Sequence, residues 1–348
     1  MIDRRYRVVQ WATGNIGLRA LREVIRDPRL DLAGVLVYDE AKNGVDAGVL
    51  CGEAPVGVAA TTDRAAIQAL GADCVLYMPR AFDVDEVVAF LASGTNVVTT
   101  RGELFDGGTA LPEDERARMN DACTRGRTSA YATGSSPGFI TDALPFALLS
   151  MQRHVDAIEI DEFADLSRRD SAHLLFEQMG YGRPPESFSA NRTAYLLHEF
   201  GPALRVLAEA AGRPVDAWSS TGDVATARDR TAIVAGVIEA GTVAAQRMTV
   251  IGASAGDEVL RFSTNWYCTT NVDPVWDLQP TGWRVRIRGD APFDVALPFP
   301  IPLADLGSFT PAYTANRPVN AIPYVCAARP GILATSDIPP IVPAGPRT

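Results

Sequence analysis

The sequence predicts an α/β protein in which an N-terminal doubly wound parallel sheet precedes an α+β second domain built on a mostly antiparallel sheet. Three observations carry that expectation. Strand-like and helix-like segments alternate through the first 150 residues. A glycine-bearing turn joins the first strand to the first helix. After about residue 150, alternating strands follow one another without helical crossovers. Strict β-α alternation buries a parallel sheet between two helical layers, whereas strands in direct succession pair antiparallel.

The elements follow in order. Residues 7–12 form an apolar strand, and the amphipathic run 16–25 forms a helix that Asp27-Pro28 stops. A second strand covers 32–38, a turn-rich stretch leads to a helix near 64–70, and 74–78 is a buried strand ended by Pro79. Helix 84–91, strand 96–100, helix 112–125 and strand 129–133 complete the first half. In the second half, 157–163 alternates as a half-buried strand, with further strands expected at 225–238, 243–253, 258–268 and 283–288. Helices at 171–180 and 191–211 cover one face. Half of the 24 prolines lie from Pro292 onward, which predicts loops and an extended tail there. The domain boundaries implied are 1–145, 146–310 and a C-terminal segment, 311–348.

Composition narrows the function. At 348 residues, with 47% hydrophobic and 21% charged residues, the chain reads as a two-domain globular enzyme. No apolar run reaches the roughly 18 residues that a membrane helix requires, and no signal peptide is read at the N-terminus. A net charge of −10 argues against nucleic acid and anionic membranes as partners. The five cysteines are scattered, with neither metal-ligand spacing nor a disulfide framework, so no metal is expected and the cytoplasm is the expected compartment. The three histidines, His154, His173 and His198, have no cysteine or serine partner placed for nucleophilic catalysis.

The strongest motif is Ala12-Thr13-Gly14-Asn15-Ile16-Gly17, at the junction of the first strand and first helix. Read as a variant of G-x-G-x-x-G, it places Gly14 where the backbone meets a pyrophosphate and Gly17 where the helix must approach the strand. Amides at the helix N-terminus then face the phosphates. This is the Rossmann fingerprint of a dinucleotide-binding domain. Asp39, at the end of the second strand, is placed to accept from an adenosine ribose and would repel a 2′-phosphate. Lys42 just beyond it would attract one. NAD and NADP therefore both stand as cofactors.

In such a sheet, ligands bind beyond the carboxyl ends of the strands. Three loops lie there: Met78-Pro79-Arg80, Thr100-Arg101-Gly102-Glu103 and Gly134 to Phe139. The first is expected to pack against the cofactor. Glu103 is either a proton shuttle beside the nicotinamide or a loop acid paired with Arg101. Phe139 and Phe146 either wall a substrate pocket or belong to ordinary core. Together with Ile160 and Phe163 they are the candidate apolar lining, while Arg168, Arg169 and Arg192 are candidates for holding a substrate carboxylate.

Trp11-Ala12-Thr13-Gly14-Asn15-Ile16-Gly17, Val37-Tyr38-Asp39, Asp46-Ala47-Gly48, Ser136-Pro137-Gly138-Phe139 and Asn320-Ala321-Ile322-Pro323 resemble the dihydrodipicolinate-reductase-like superfamily. The most similar branch holds 2,4-diaminopentanoate dehydrogenase and the native amine dehydrogenases. The resemblance implies NAD(P)-dependent oxidative deamination, or reductive amination of a ketone or aldehyde with ammonia. It also implies a homodimer, a C-terminal segment returning to the first domain with Asn320 at the cofactor, and Glu103 as the catalytic carboxylate. True dihydrodipicolinate reductases carry E-x-H-H and a following lysine, whereas this chain reads Glu162-Phe163-Ala164-Asp165, so that activity is not expected. The alternatives are a C=N or C=O reductase acting without ammonia, and a non-catalytic dinucleotide-binding protein.

Overall fold

The computed structural model describes residues 4–189 and 191–343. In chain order, the first elements are β1 (Tyr6–Trp11), α1 (Asn15–Arg26), β2 (Leu30–Leu36), α2 (Ala47–Cys51), β3 (Ala60–Thr61) and α3 (Arg64–Gln68). Next come β4 (Cys74–Tyr77), α4 (Val84–Ala92), β5 (Asn96–Thr99), α5 (Glu113–Gly126) and β6 (Ser129–Ala132). Then follow α6 (Leu144–Leu149), β7 (Val155–Asp165), α7 (Asn191–Ala210), β8 (Ala217–Ala227), β9 (Thr231–Ile233), β10 (Gly236–Ile238), β11 (Val243–Ser254) and β12 (Asp257–Tyr267). The chain finishes with β13 (Val272–Asp273), β14 (Gly282–Gly289), β15 (Phe293–Pro298), α8 (Leu306–Cys326) and β16 (Gly331–Leu333). It divides into two units, one comprising Met1–Phe139 with Thr310–Thr348, the other Ile140–Phe309.

The first unit holds a parallel sheet of order β16-β6-β5-β4-β1-β2-β3. Strand order reverses between β4 and β1, which makes the carboxyl ends of those strands the crevice where such sheets bind ligands. The sequence builds this sheet simply. Val8, Val9, Trp11, Val75, Leu76, Tyr77, Val97 and Val98 are buried, as strands covered on both faces require. On α1, Gly17, Ala20, Leu21 and Val24 recur at helical spacing and are its buried face. On α4, Asp83 caps the helix by accepting from the amides of Asp85 and Glu86.

The prolines of the C-terminal region mislead. Within the expected loops and tail, Leu306–Cys326 instead form the 21-residue helix α8, which contains Pro311, Pro318 and Pro323. Each proline deletes a backbone donor and disfavours helix. Packing outweighs that cost: Ala315, Val319, Ala321, Ile322 and Val325 of α8 join Val8, Leu76, Val98 and Tyr131 of the sheet in one buried cluster. β16 then pairs in parallel with β6 at the sheet edge. Residues 344–348 of the C-terminal segment lie outside the described residues.

The second unit carries a mixed, mostly antiparallel sheet of order β13-β8-β11-β12-β7-β14-β15, in which β12 and β7 run parallel. The strand expected at 225–238 is not continuous. β8 begins earlier, at Ala217, and a small β9–β10 hairpin follows it. β15 has no counterpart among the expected strands. α7 covers one face, with Leu196, Ala203, Leu204 and Leu207 buried and Phe200 stacked on Phe262 at 4.3 Å. The other face is polar: Ser219, Thr221 and Asp223 are exposed, and Arg286 bridges Glu159 and Asp161. Burial pushes the Asp161 carboxyl above its ordinary range, against the pull of Arg286. Among the described residues, no helix is long and apolar enough to cross a membrane.

Candidate active site

The turn after β1 is shaped by close approach. A Cβ on Gly17 would lie 2.2 Å from the Ala12 carbonyl oxygen, so only glycine lets α1 start this near the strand. Ala12 itself stands at φ 75, a left-handed conformation that costs a side-chain-bearing residue roughly 1–2 kcal/mol. The buried Gln10 donates from Nε2 to the Ala12 oxygen at 2.9 Å and helps to hold that carbonyl. Gly14 is the N-cap of α1 with no side-chain cap, and no acidic residue occupies the first turn. Nothing lies within 4 Å of where its Cβ would be. Gly14 and Asn15 are exposed. A 12-residue helix thus presents its first amides to open space, uncapped, at the switch point of a parallel sheet. The chemistry of such a helix start fits a dinucleotide pyrophosphate.

Asp39 and Lys42 are both engaged within the protein. Asp39 turns one carboxylate oxygen onto the Ala41 amide at 3.0 Å, capping a short helical turn. Lys42 reaches back to the glycine turn, where Nζ donates to the Thr13 carbonyl at 3.1 Å and to Thr13 Oγ1 at 3.3 Å. Tyr38 and Arg64 were not among the candidate site residues. Tyr38 is exposed, accepts from Trp11 Nε1 at 3.0 Å and lies 5.4 Å below the Arg64 guanidinium.

Of the three loops beyond the carboxyl ends, the first is buried at its start. Met78 and Pro79 are buried, and Met78 belongs to the sheet core, donating its amide to the Trp11 carbonyl at 3.0 Å. Arg80 is exposed and contributes its carbonyl to Arg101 Nη1 at 3.0 Å. In the second loop Glu103 sits on a single helical turn, Gly102–Leu104, anchored by the fully buried Leu104. Arg101 holds its carboxylate at both oxygens, 2.6 Å from Nη2 to Oε1 and 3.1 Å from Nε to Oε2. The pairing with Arg101 is therefore real, and it leaves further lone pairs on each oxygen. In the third loop, Phe139 lies 5.9 Å from the Arg317 guanidinium, whose Nε donates to Thr133 Oγ1 at 2.8 Å. Ser136 Oγ is buried without a partner among the described residues. Asn320 is half-buried on α8.

Ile160 and Phe163, two of the four residues expected to wall an apolar pocket, do not share a wall. Along β7, regular pairing with β12 puts Ile160 and Phe163 on opposite faces of the sheet. Ile160 is fully buried on the α7 face beside Phe262 and Val285, while Phe163 pairs with Asn265 on the polar face. Phe146 is half-buried on α6, in the second unit, and Phe139 belongs to the first. The second unit instead contains a cavity of about 480 Å³, whose lining includes Met179, Tyr195, Leu196, Phe200, Met248 and Trp266. Arg168 and Arg169 are exposed, and Arg192 borders the cavity. Glu162, where dihydrodipicolinate reductases begin their histidine motif, accepts from Trp266 Nε1 at 3.1 Å and Trp283 Nε1 at 3.2 Å.

Comparison with known proteins supplies the remaining findings. A family model described as the 2,4-diaminopentanoate dehydrogenase C-terminal domain matches residues 139–345. An amine dehydrogenase of Streptomyces virginiae is 31% identical over 350 residues, covering 95% of this chain and 95% of the relative. The structure of amine dehydrogenase from Mycobacterium smegmatis gives a TM-score of 0.74 at 18% identity, over 97% of each chain. Scyllo-inositol dehydrogenase from Lactobacillus casei, solved with bound cofactor NAD(H) and scyllo-inositol, gives 0.51 at 11% identity, over 84% of this chain and 76% of that one.

Proposed function

Because the chain belongs to the 2,4-diaminopentanoate dehydrogenase family, we propose that it is an NAD(P)-dependent amine dehydrogenase, joining ammonia to a ketone or aldehyde by reductive amination and running oxidative deamination in reverse. The observation that carries the reading is the uncapped α1 N-terminus behind Gly14, in the same parallel sheet whose β5 loop carries Glu103. When bound there, the nicotinamide supplies the two-electron exchange with the carbon that bears nitrogen.

The chain's own groups do the rest. Amides of the first turn of α1 hold the diphosphate, and the carboxamide end falls to the loop that carries Ser136. Glu103 accepts a proton from the substrate ammonium in the oxidative direction. In the reductive direction it receives the proton from the incoming ammonium and returns one to the departing hydroxyl. Arg101 aims the carboxylate without consuming all of its acceptor sites. The enzyme works in the cytoplasm as a homodimer. Sedimentation equilibrium should give the mass of two chains, and a monomer under assay conditions would refute the dimer.

The test is a coupled assay of NADH and NADPH oxidation with a ketone panel, with and without ammonium. Turnover that requires ammonium is expected. Equal rates without it would mark a carbonyl reductase instead.

Lys42 and Asp39 support use of both dinucleotides, Lys42 serving the 2′-phosphate and Asp39 the free ribose hydroxyl. A charge-assisted hydrogen bond contributes about 1.5–3 kcal/mol. Lys42→Ala should therefore raise the KM for NADPH roughly tenfold or more while changing that for NADH little, and Asp39→Ser should shift the ratio the other way. Parallel initial-rate titrations decide it: equal changes for both cofactors would remove these roles.

A further inference from the structure

The turn that opens α1 is held by a buried side chain outside the glycine motif. Gln10 of β1 is fully buried, in register with Val35 of β2 on one side and Leu76 of β4 on the other, both fully buried as well. An amide between aliphatic strands is expected to use all of its hydrogen-bonding groups. Gln10 does not. Its Nε2 donates to the Ala12 carbonyl oxygen at 2.9 Å, while Oε1 is buried with no partner among the described residues. A methionine would fill similar space without an orphaned oxygen, so packing alone gives no reason for a glutamine here.

The carbonyl that Gln10 holds belongs to the strained residue of the turn. Between Trp11 and Gly17, Ala12 alone has a positive φ, at 75. It stands where the dinucleotide fingerprint has its first glycine, the residue that takes this conformation freely. A residue with a Cβ persists there only when its surroundings over-determine it. Those surroundings fix both of its backbone groups: the Ala12 amide donates to the Leu36 carbonyl at 3.0 Å, and its carbonyl receives the Gln10 amide. The same junction reaches α1. A Cβ on Gly17 would meet the Ala12 oxygen at 2.2 Å and Gln10 Nε2 at 3.2 Å. Gln10, the Ala12 carbonyl and Gly17 therefore pack as one contact at the start of the helix, next to the exposed Gly14 and Asn15.

We propose that Gln10 is a positioning residue for dinucleotide binding: it holds the left-handed Ala12 and so keeps the first amides of α1 in their binding geometry before the cofactor arrives. The proposal rests on the reading that this turn takes the pyrophosphate, and it names what keeps the turn in shape. A loop already ordered in its bound form binds more tightly because less ordering accompanies binding. Gln10 gives its hydrogen bond to the protein, so it acts through Ala12.

The experiment titrates NADH and NADPH by fluorescence into the full chain carrying Gln10→Met, Ala12→Gly, both together, or Gly14→Ala. Methionine keeps the length of glutamine and removes its amide. Gln10→Met should weaken both dinucleotides about tenfold, as the loss of one hydrogen bond does. The melting temperature should stay within about three degrees of the parent, because the orphaned oxygen leaves the core together with the donor. In the Ala12→Gly background the turn reaches its conformation without a Cβ, so the same change should weaken binding less than about threefold. A residue that only fills the core would act alike in both backgrounds. An equal loss in the two backgrounds, unchanged affinity in Gln10→Met, or a Gln10→Met chain that melts lower than that margin or does not fold overturns the role of Gln10. Weakened binding in Gly14→Ala beside normal binding in Gln10→Met leaves the pyrophosphate site standing and removes the proposal alone. Normal affinity in Gly14→Ala removes the site, and the proposal with it.

Discussion

Glu103→Gln lowers kcat by a factor of roughly a hundred to ten thousand, the range that a positioned proton acceptor contributes. Glutamine keeps the length and one acceptor oxygen, so Arg101 retains a partner and the turn Gly102–Leu104 stays anchored by Leu104. The loss therefore falls on proton transfer, with the affinity for NAD(P)H and the melting temperature nearly unchanged. Glu103→Asp restores the carboxylate one methylene short, away from the bidentate grip of Arg101, and should recover only part of the rate. Single-turnover measurements with a saturating cofactor separate the chemical step from binding. Turnover within about threefold of the parent enzyme in Glu103→Gln would end the assignment of this carboxylate as the proton acceptor.

Gly17→Ala and Gly14→Ala should fail in opposite ways, although both lie in one turn. At Gly17 the new Cβ meets the Ala12 carbonyl oxygen at 2.2 Å, a backbone atom that cannot step aside. The strand and helix must separate, at a cost of about 1–3 kcal/mol for overpacking. The melting temperature should drop by several degrees, and the affinity for NADH and NADPH should fall with it. At Gly14, φ is −69 and the Cβ has open space around it, so the free protein should melt normally. In the proposed binding mode the pyrophosphate takes that open space, so the methyl group should raise the dissociation constants of both dinucleotides at least tenfold, as a clash with a well-placed phosphate does. Scanning calorimetry and fluorescence titration of the two variants give the contrast. Normal cofactor affinity in Gly14→Ala would place the dinucleotide elsewhere.

The pair also shows why the turn was readable in advance. Gly14 and Gly17 follow from a local rule about backbone clearance, and the alternation of strands and helices in the first unit follows from hydrophobic period alone. Glu103 was legible as a position, on the loop after β5, because the sheet's topology sends that loop to the ligand side. Its pairing with Arg101 was one of two readings that two residues of spacing allowed.

Other features had no local signature. α8 runs through three prolines, each of which disfavours a helix. A turn-rich reading of 292 onward could not anticipate that burying Val319, Ile322 and Val325 outweighs the lost donors. Ile160 and Phe163 look equivalent as apolar residues, yet three steps along a strand put them on opposite faces. The cavity gathers Met179, Leu196, Met248 and Trp266 from a turn, a helix and two strands far apart in sequence.

By itself, then, the sequence determined the parallel α/β unit, the glycine turn and the loop that bears Glu103. Each depends on contacts between residues close along the chain or on side-chain period. Only the tertiary structure decided the course of α8, the placing of Lys42 against Thr13 and the composition of the apolar cavity. The Lys42 contact is a hydrogen bond between residues distant in sequence, and the other two come from long-range burial, whose free energy depends on which distant surfaces meet and outweighs the local preferences a sequence displays.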